Sequence, residues 1–267
     1  MFHINTMGLI KRFSGEVCYL ELNRPEKRNA LSKSVVIELT RFFRESHDSN
    51  QFKVLVISGN GGFFSAGADL EWMKSGMSQS ESENLEDAQL FNKLYSTMYN
   101  YPKPLIVKVD KGAYGGAIGL MACADIVTTT ADAEFQFSEP MLGLVPATIA
   151  PYIIRRIGLT MTKQLFLTAM KFDGNEAFNY GLVNYLFSEE QLAIKTRELA
   201  STIIKNSPLA LKETKLLLNR LGNYIVPISE EEEQHCAGII ARARRSADGQ
   251  EGVKAFFEKR KPEWNDL

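Results

Sequence analysis

The sequence predicts an α/β fold, with a strand-and-helix core over residues 1–206 and a helical region over 207–267. Three observations carry this expectation. Apolar strand-like runs alternate with helical patterns as far as Phe187, and no strand signal follows Ser188. Two glycine-rich turns, Phe63-Phe64-Ser65-Ala66-Gly67-Ala68-Asp69 and Lys111-Gly112-Ala113-Tyr114-Gly115-Gly116-Ala117-Ile118-Gly119, each follow an apolar run and precede a helical one.

Val17 to Leu22 is apolar-rich and partly alternating, which predicts a strand. Residues 23–29 form a polar loop. Ser32 caps a helix from Lys33 to about Ser46, with Val35, Val36, Leu39, Phe42 and Phe43 at helical spacing. Val54 to Ile57 is a continuous apolar run, as in a buried parallel strand. The first glycine turn follows, then a short helix with Trp72 and Met73. Residues 75–84 are polar and are expected to form a mobile segment beside a site. Residues 85–99 predict a helix that stops before Pro102 and Pro104. Leu105 to Val109 is the next strand and leads into the second glycine turn. Residues 116–124 predict a buried helix of small side chains, and 126–130 and 134–137 two short strands. Helices are expected over 150–157, 161–170 and 175–180, the last ended by Gly181. Residues 183–187 form a final strand. Helices then run over 189–205, 208–221, 229–245 and 249–259, with the junction near Asn206-Ser207-Pro208.

Composition narrows the function classes. The chain has 267 residues, a formal net charge of −1, 45% hydrophobic and 24% charged residues. That ordinary globular balance predicts no nucleic-acid partner and no acidic-membrane partner. Cys18, Cys123 and Cys236 form no C-x-x-C, and His3, His47 and His235 are scattered. Neither a disulfide framework nor a metal site is expected, and a reducing, cytoplasmic setting fits. No secretory signal is visible at the N-terminus, and no apolar run approaches the roughly 20 residues of a membrane-spanning helix.

The glycine turns carry the chemistry. Small residues let backbone N–H groups approach a ligand, and a helix N-terminus favours negative charge. Two such N–H groups clamp one developing oxyanion. The bland reading, turns that merely connect, stays open for either turn alone. A dinucleotide site needs G-x-G-x-x-G, whereas the glycines here are Gly112, Gly115, Gly116 and Gly119. A phosphate loop fails because no Gly-Lys-Ser/Thr follows. Arg242, Arg244 and Arg245 read as a solvated helix face or a subunit contact. Glu139 reads either as a surface carboxylate or as a proton carrier. It stands between Phe135-Gln136-Phe137 and Met141-Leu142-Gly143-Leu144-Val145, and Pro140 is expected to hold it extended, off any helix. Apolar surroundings raise a carboxyl pKa, which suits proton transfer near neutral pH.

Five segments stand in an order that resembles the enoyl-CoA hydratase/isomerase (crotonase) family. They are Asn23 to Leu31, Ser65 to Leu70, Pro102-Lys103-Pro104, the second glycine turn through Ile126, and Ser138 to Pro146. Gly181-Leu182-Val183 and the tail from Ala255 to Arg260 also fit, so the resemblance covers nearly the whole chain. It implies a ββα spiral core, a C-terminal helical region used in trimer assembly, and an acyl-CoA substrate with no separate cofactor. It maps the oxyanion hole onto the N–H groups of Ala68 and Gly116, with Gly115 beside it, and the acid onto Glu139. It assigns CoA binding to Lys27, Arg28, Ala30 and the segment Ala66, Gly67, Asp69 and Leu70. Phe256 and Lys259 match tail positions that reach a neighbouring subunit's ligand, in a homotrimer or a dimer of trimers.

One position departs from the pattern. Two-glutamate hydratases carry a first acid where this chain has Gly119. A subgroup resembling the methylglutaconyl-CoA and carboxygeranoyl-CoA hydratases shares that substitution. It also shares Asp69-Leu70-Glu71-Trp72-Met73 and the segment Val145 to Tyr152. The resemblance therefore implies an enoyl-CoA hydratase, with a branched or acidic acyl chain. A Δ3–Δ2 enoyl-CoA isomerase with one glutamate and a non-catalytic acyl-CoA-binding scaffold are the alternatives.

Overall fold

The computed structural model describes residues 4–5, 8–76, 80–142 and 144–222, and beyond those 247, 251, 255, 258–261 and 263. Among them the strands are β1 (Ile4–Asn5), β2 (Leu9–Ser14), β3 (Val17–Leu22), β4 (Val54–Gly59), β5 (Leu105–Lys108), β6 (Gly112–Tyr114), β7 (Ile126–Thr129), β8 (Glu134–Gln136), β9 (Phe172–Asp173) and β10 (Tyr185–Leu186). The helices are α1 (Lys33–Glu45), α2 (Leu70–Gly76), α3 (Glu81–Tyr99), α4 (Gly116–Cys123), α5 (Ala150–Thr168), α6 (Gly174–Asn179), α7 (Glu189–Ile203) and α8 (Pro208–Leu221).

Two sheets result. The larger has the order β1-β2-β3-β4-β5-β7-β10, parallel from β3 onward and antiparallel at β1 and β2. The smaller has the order β6-β8-β9. The chain passes twice from the large sheet to the small one, from β5 into β6 and from β7 into β8. Each passage turns the backbone out of the first sheet, and the second glycine turn lies at the end of β6. β4 and β5 are the apolar runs of the sequence, and Leu55, Ile57, Leu105 and Val107 are buried in the main core. Helices cover the faces, as parallel strands require.

Most elements fall where the sequence puts them. Ser32 caps α1, its hydroxyl accepting from the N–H of Val35 at 3.4 Å. The sequence reading missed β1, β2, β6 and β9. In β2 the charged Lys11 and Arg12 follow Leu9 and Ile10 and hide the strand period, and only pairing with β3 reveals it. The polar stretch expected to be mobile contains the end of α2 and the start of α3. A reciprocal capping box between Ser80 and Glu83 starts α3. α5 spans both helices predicted for its region, with a kink at Gly158. The strand expected over 183–187 is only β10. α8 docks on the core through Lys215, a buried lysine whose Nζ reaches Asp125 Oδ2 at 2.7 Å and donates to the Lys103 carbonyl at 3.1 Å. The helix expected over 229–245 lies outside the described residues, and so does most of that over 249–259. Among the described residues no helix is long and apolar enough to cross a membrane.

One side chain makes several of the bonds that hold the loop after β3. Asn29 is buried and left-handed at φ 54°, a conformation asparagine tolerates. Its Oδ1 accepts from the Arg24 N–H at 2.8 Å. Its Nδ2 donates to the carbonyls of Asn60 at 2.8 Å and Phe63 at 2.7 Å. Its own carbonyl accepts from the Ser65 hydroxyl at 2.8 Å. The loop and the first glycine turn are thereby tied together. We predict that Asn29→Asp, which sets an acceptor against two carbonyls, lowers the free energy of unfolding by about 3 kcal/mol, since each buried unsatisfied group costs roughly 1–3 kcal/mol. Urea denaturation checks this; a change under about 0.5 kcal/mol contradicts the role given to the amide.

Candidate active site

The first glycine turn is stitched on both sides. Leu31 N–H donates to Gly67 O at 2.7 Å, Ala66 N–H to Arg28 O at 2.9 Å, and Asp69 N–H to Leu31 O at 3.1 Å. On the other side Tyr114 N–H donates to Ser65 O at 3.1 Å. Gly67 has φ 83°, and a Cβ there would lie 2.5 Å from the Tyr114 carbonyl oxygen and 3.5 Å from the Gly116 nitrogen. Only glycine permits both the conformation and the approach.

The second turn opens α4. Gly115 is its N-cap, at φ 48° and ψ −122°, and its N–H donates to Gln136 O at 3.0 Å. Gly116 is the first helical residue, so its N–H has no partner within the helix. Among the described residues, no protein acceptor takes the N–H of Ala68 or of Gly116. Two unengaged donors from different turns thus stand around the Gly67 contact, one of them at a helix N-terminus.

Glu139 faces this turn. The oxygen Oε1 lies 2.9 Å from the point a Cβ on Gly115 would occupy, so a side chain there would collide with the carboxylate. Oε2 is buried and has no hydrogen-bond partner among the described residues. Burial raises its pKa above the ordinary 4.5, and a bond from its own backbone N–H offsets part of the rise. The backbone corrects one expectation: Glu139 is not extended but opens a 3-10 turn over Glu139–Leu142. Proline is tolerated there because the first turn of a helix needs no N–H from it.

At Gly119, where the resemblance puts a first acid, there is no room for one. A Cβ would fall 2.4 Å from Ile149 Cγ2 and 2.9 Å from Tyr95 Cε1. Sequence reasoning found the missing acid but not the two side chains that close its place.

The predicted binding residues split into groups. Ala66, Gly67, Ala68 and Asp69 lie in the first turn, the buried Ala30 lies in the loop bonded to it, and Leu70 opens α2 with its side chain largely exposed. Lys27 pairs with Glu71 at 2.8 Å beside them. Arg28 is left-handed at φ 47°, with its guanidinium 5.8 Å from the Phe63 ring centroid. Asp69 turns its buried carboxylate toward Arg24 at 2.7 Å and accepts from the Glu71 N–H at 2.9 Å, so it anchors α2. Burial would raise the Asp69 pKa, but Arg24 and the α2 N–H groups outweigh it and hold the group below the ordinary value. Lys259 is exposed, and Phe256 lies outside the described residues. Three supporting residues escaped sequence reasoning: Arg24, Asn29 and Tyr95. The first two stand inside a motif the sequence singles out, whereas nothing local marks Tyr95. Among the described residues no cluster of three potential metal ligands occurs.

Comparison with known proteins gives a consistent picture. The family model for enoyl-CoA hydratase/isomerase matches residues 12–267. A crotonyl-CoA hydratase of Syntrophomonas wolfei is 30% identical over 248 residues, covering 92% of this chain and 93% of that protein. A 2,3-dehydroadipyl-CoA hydratase of Escherichia coli is 29% identical over 249 residues, covering 93% and 94%. Among solved structures, an enoyl-CoA hydratase from Shewanella pealeana is similar at TM-score 0.92 and 35% identity, covering 96% of both chains.

The buried carboxyl has a measurable consequence for stability. With its pKa raised from 4.5, Glu139 binds its proton more tightly in the native state than in the unfolded chain. Its contribution is therefore favourable below 4.5 and is lost as pH rises through the native pKa. We predict that Glu139→Gln melts close to wild type in acid and above it at about pH 8, where a buried carboxylate must ionise. Thermal melts at both pH values check this; a variant less stable than wild type at the higher pH contradicts the unpartnered state of Oε2.

Proposed function

The chain belongs to the enoyl-CoA hydratase/isomerase family, and from that premise we propose that it adds water across the α,β-double bond of an acyl-CoA thioester to give a 3-hydroxyacyl-CoA. The observation that carries this is the Glu139 carboxyl with a buried, unpartnered oxygen, set against a turn whose N–H at Gly116 is unengaged. The thioester oxygen lies between the N–H groups of Ala68 and Gly116. As the water oxygen bonds to C3, electron density passes through the conjugated system to that oxygen. Removing one such donor in other enzymes costs about 2.7–4 kcal/mol. The protonated carboxyl of Glu139 gives its proton to C2, and its other oxygen takes a proton from the attacking water. One molecule of water is added and the carboxyl ends protonated, so one acid suffices. Its raised pKa keeps the protonated form accessible nearer neutral pH.

The closed space at Gly119 fits a second reading equally, a Δ3–Δ2 isomerase, because moving a proton from C2 to C4 also needs only one base. The relatives named above differ in their acyl groups, so they support the reaction more than the chain. A branched or acidic acyl group rests on the likeness of Asp69 to Met73 and of Val145 to Tyr152 to that subgroup. The proposal includes CoA contacts from Lys27, Arg28 and Ala30, and assembly through residues 207–267 into a trimer or a dimer of trimers, which brings Phe256 and Lys259 to a neighbour's ligand. The buried free thiols of Cys18 and Cys123 support a reducing, cytoplasmic setting.

In heavy-oxygen water we expect the label in the product's 3-hydroxyl. Double-bond migration without label would replace the hydratase reading by the isomerase one. Glu139→Gln should lower kcat by about 10²–10⁴-fold with KM little changed; near wild-type hydration would remove Glu139 from the mechanism. Light scattering should report a trimer or a hexamer, and a monomer at micromolar protein would remove the cross-subunit role of Phe256 and Lys259.

A further inference from the structure

Tyr95 fills the space beside the candidate oxyanion turn. It lies on α3, fully buried between Phe91 and Tyr152, with ring centroids 6.0 Å and 5.9 Å away. Its hydroxyl donates to the carbonyl oxygen of Gly116 at 2.8 Å. The Tyr95 hydroxyl oxygen stands 2.9 Å from the point a Cβ on Gly116 would occupy. The ring edge stands 2.9 Å and 3.0 Å from the corresponding point on Gly119. The phenol therefore lies along the first turn of α4, in the room two absent side chains leave.

A buried tyrosine ordinarily donates a hydrogen bond to some nearby carbonyl, and that alone implies nothing about function. The choice of carbonyl matters here. α4 starts without a side-chain cap, at a residue with glycine's wide conformational freedom. The peptide before Gly116, which carries its N–H, is held by the Ile118 N–H on Gly115 O at 2.9 Å. The peptide after it is held by Tyr95. Among the described residues, no other side chain bonds to the backbone of Gly115 or Gly116. We infer that Tyr95 is a positioning residue: its hydroxyl, on the carbonyl of Gly116, fixes the direction in which the Gly116 N–H meets the thioester oxygen. The inference rests on the reading of Gly116 as an oxyanion donor. Donors of this kind act by being aimed before charge develops, so a loose turn lowers the rate without weakening ground-state binding. Burial first, with Cys123 and Glu139 adding to it, holds the phenol pKa well above its ordinary value, so the hydroxyl stays a donor.

The test uses the full-length protein and a conjugated dienoyl-CoA, whose absorption moves to the red when its carbonyl is polarised. Wild type should shift the bound chromophore. Tyr95→Phe, which removes one oxygen and keeps the ring, should bind it with similar affinity, show a smaller shift, and turn over an enoyl-CoA at least roughly tenfold more slowly with KM little changed. Tyr152→Phe, in the same aromatic stack, should behave as wild type. Should Tyr95→Phe fail to fold, Gly119→Ala, whose Cβ displaces the ring but leaves the hydroxyl, should give the same smaller shift and lower kcat. A full red shift with wild-type kcat in the folded variant overturns the inference and leaves the hydratase reading intact. No red shift in wild type removes Gly116 from the oxyanion hole, and both readings fall together.

Discussion

The site depends on one steric constraint, the approach of two backbones where no side chain fits. Gly67 lies so close to the Tyr114 carbonyl that a methyl group would stand 2.5 Å from it. Any larger residue would push the first glycine turn away from β6 and separate the N–H groups of Ala68 and Gly116. Backbone pairing draws the two segments together: Ser65 bridges to Ala113, and Leu31 bridges to Ala68 from the other side. Asn29 ties the flanking loops behind this contact. The N–H groups of Ala68 and Gly116 are thus held in place by the fold, as the oxyanion role proposed for them requires.

Two carboxylates within this framework titrate in opposite directions, and the neighbours explain why. Asp69 and Glu139 both lose solvent, which by itself favours the neutral acid. Asp69 has the Arg24 guanidinium at 2.7 Å and backbone N–H groups at the start of α2, so it stays ionised and anchors that helix. Among the described residues Glu139 has no such cation, and its Oε2 has no partner. The fold therefore makes one acid a fixed structural anion and leaves the other able to exchange a proton. An unpartnered buried oxygen lowers stability, and such a cost is ordinary where chemistry occurs.

α3 supplies the wall opposite the turns. Phe91 stacks on Trp72 of α2 at 5.1 Å, and Tyr95 continues the stack toward Tyr152 of α5. Asp87 fixes the outer end, accepting from Trp72 Nε1 and pairing with Lys33 Nζ, both at 2.7 Å. This aromatic ladder joins the helix after the first turn to the helix that packs over the second. Tyr95 of the ladder, with Ile149, also occupies the room at Gly119, so the missing acid leaves a filled core and not an empty pocket.

The sequence alone determined the order of most elements, because an apolar run ending in glycines is a local signal of a strand entering a tight turn. It also marked the two turns, Gly119 and Glu139, since all four are visible as residues in a row. β2 was not legible, because Lys11 and Arg12 obscure its period and its pairing with β3 is a tertiary fact. The 3-10 turn at Glu139 was not legible either, because proline excludes helix interiors but not helix starts. The partner of Asp69 is Arg24, forty-five residues earlier, and the side chains that close Gly119 come from Tyr95 and Ile149 on separate elements. Only tertiary structure decided those contacts, and with them the protonation of each acid. A pKa answers to whatever charges and solvent surround the group in space, and residues distant in sequence set that environment.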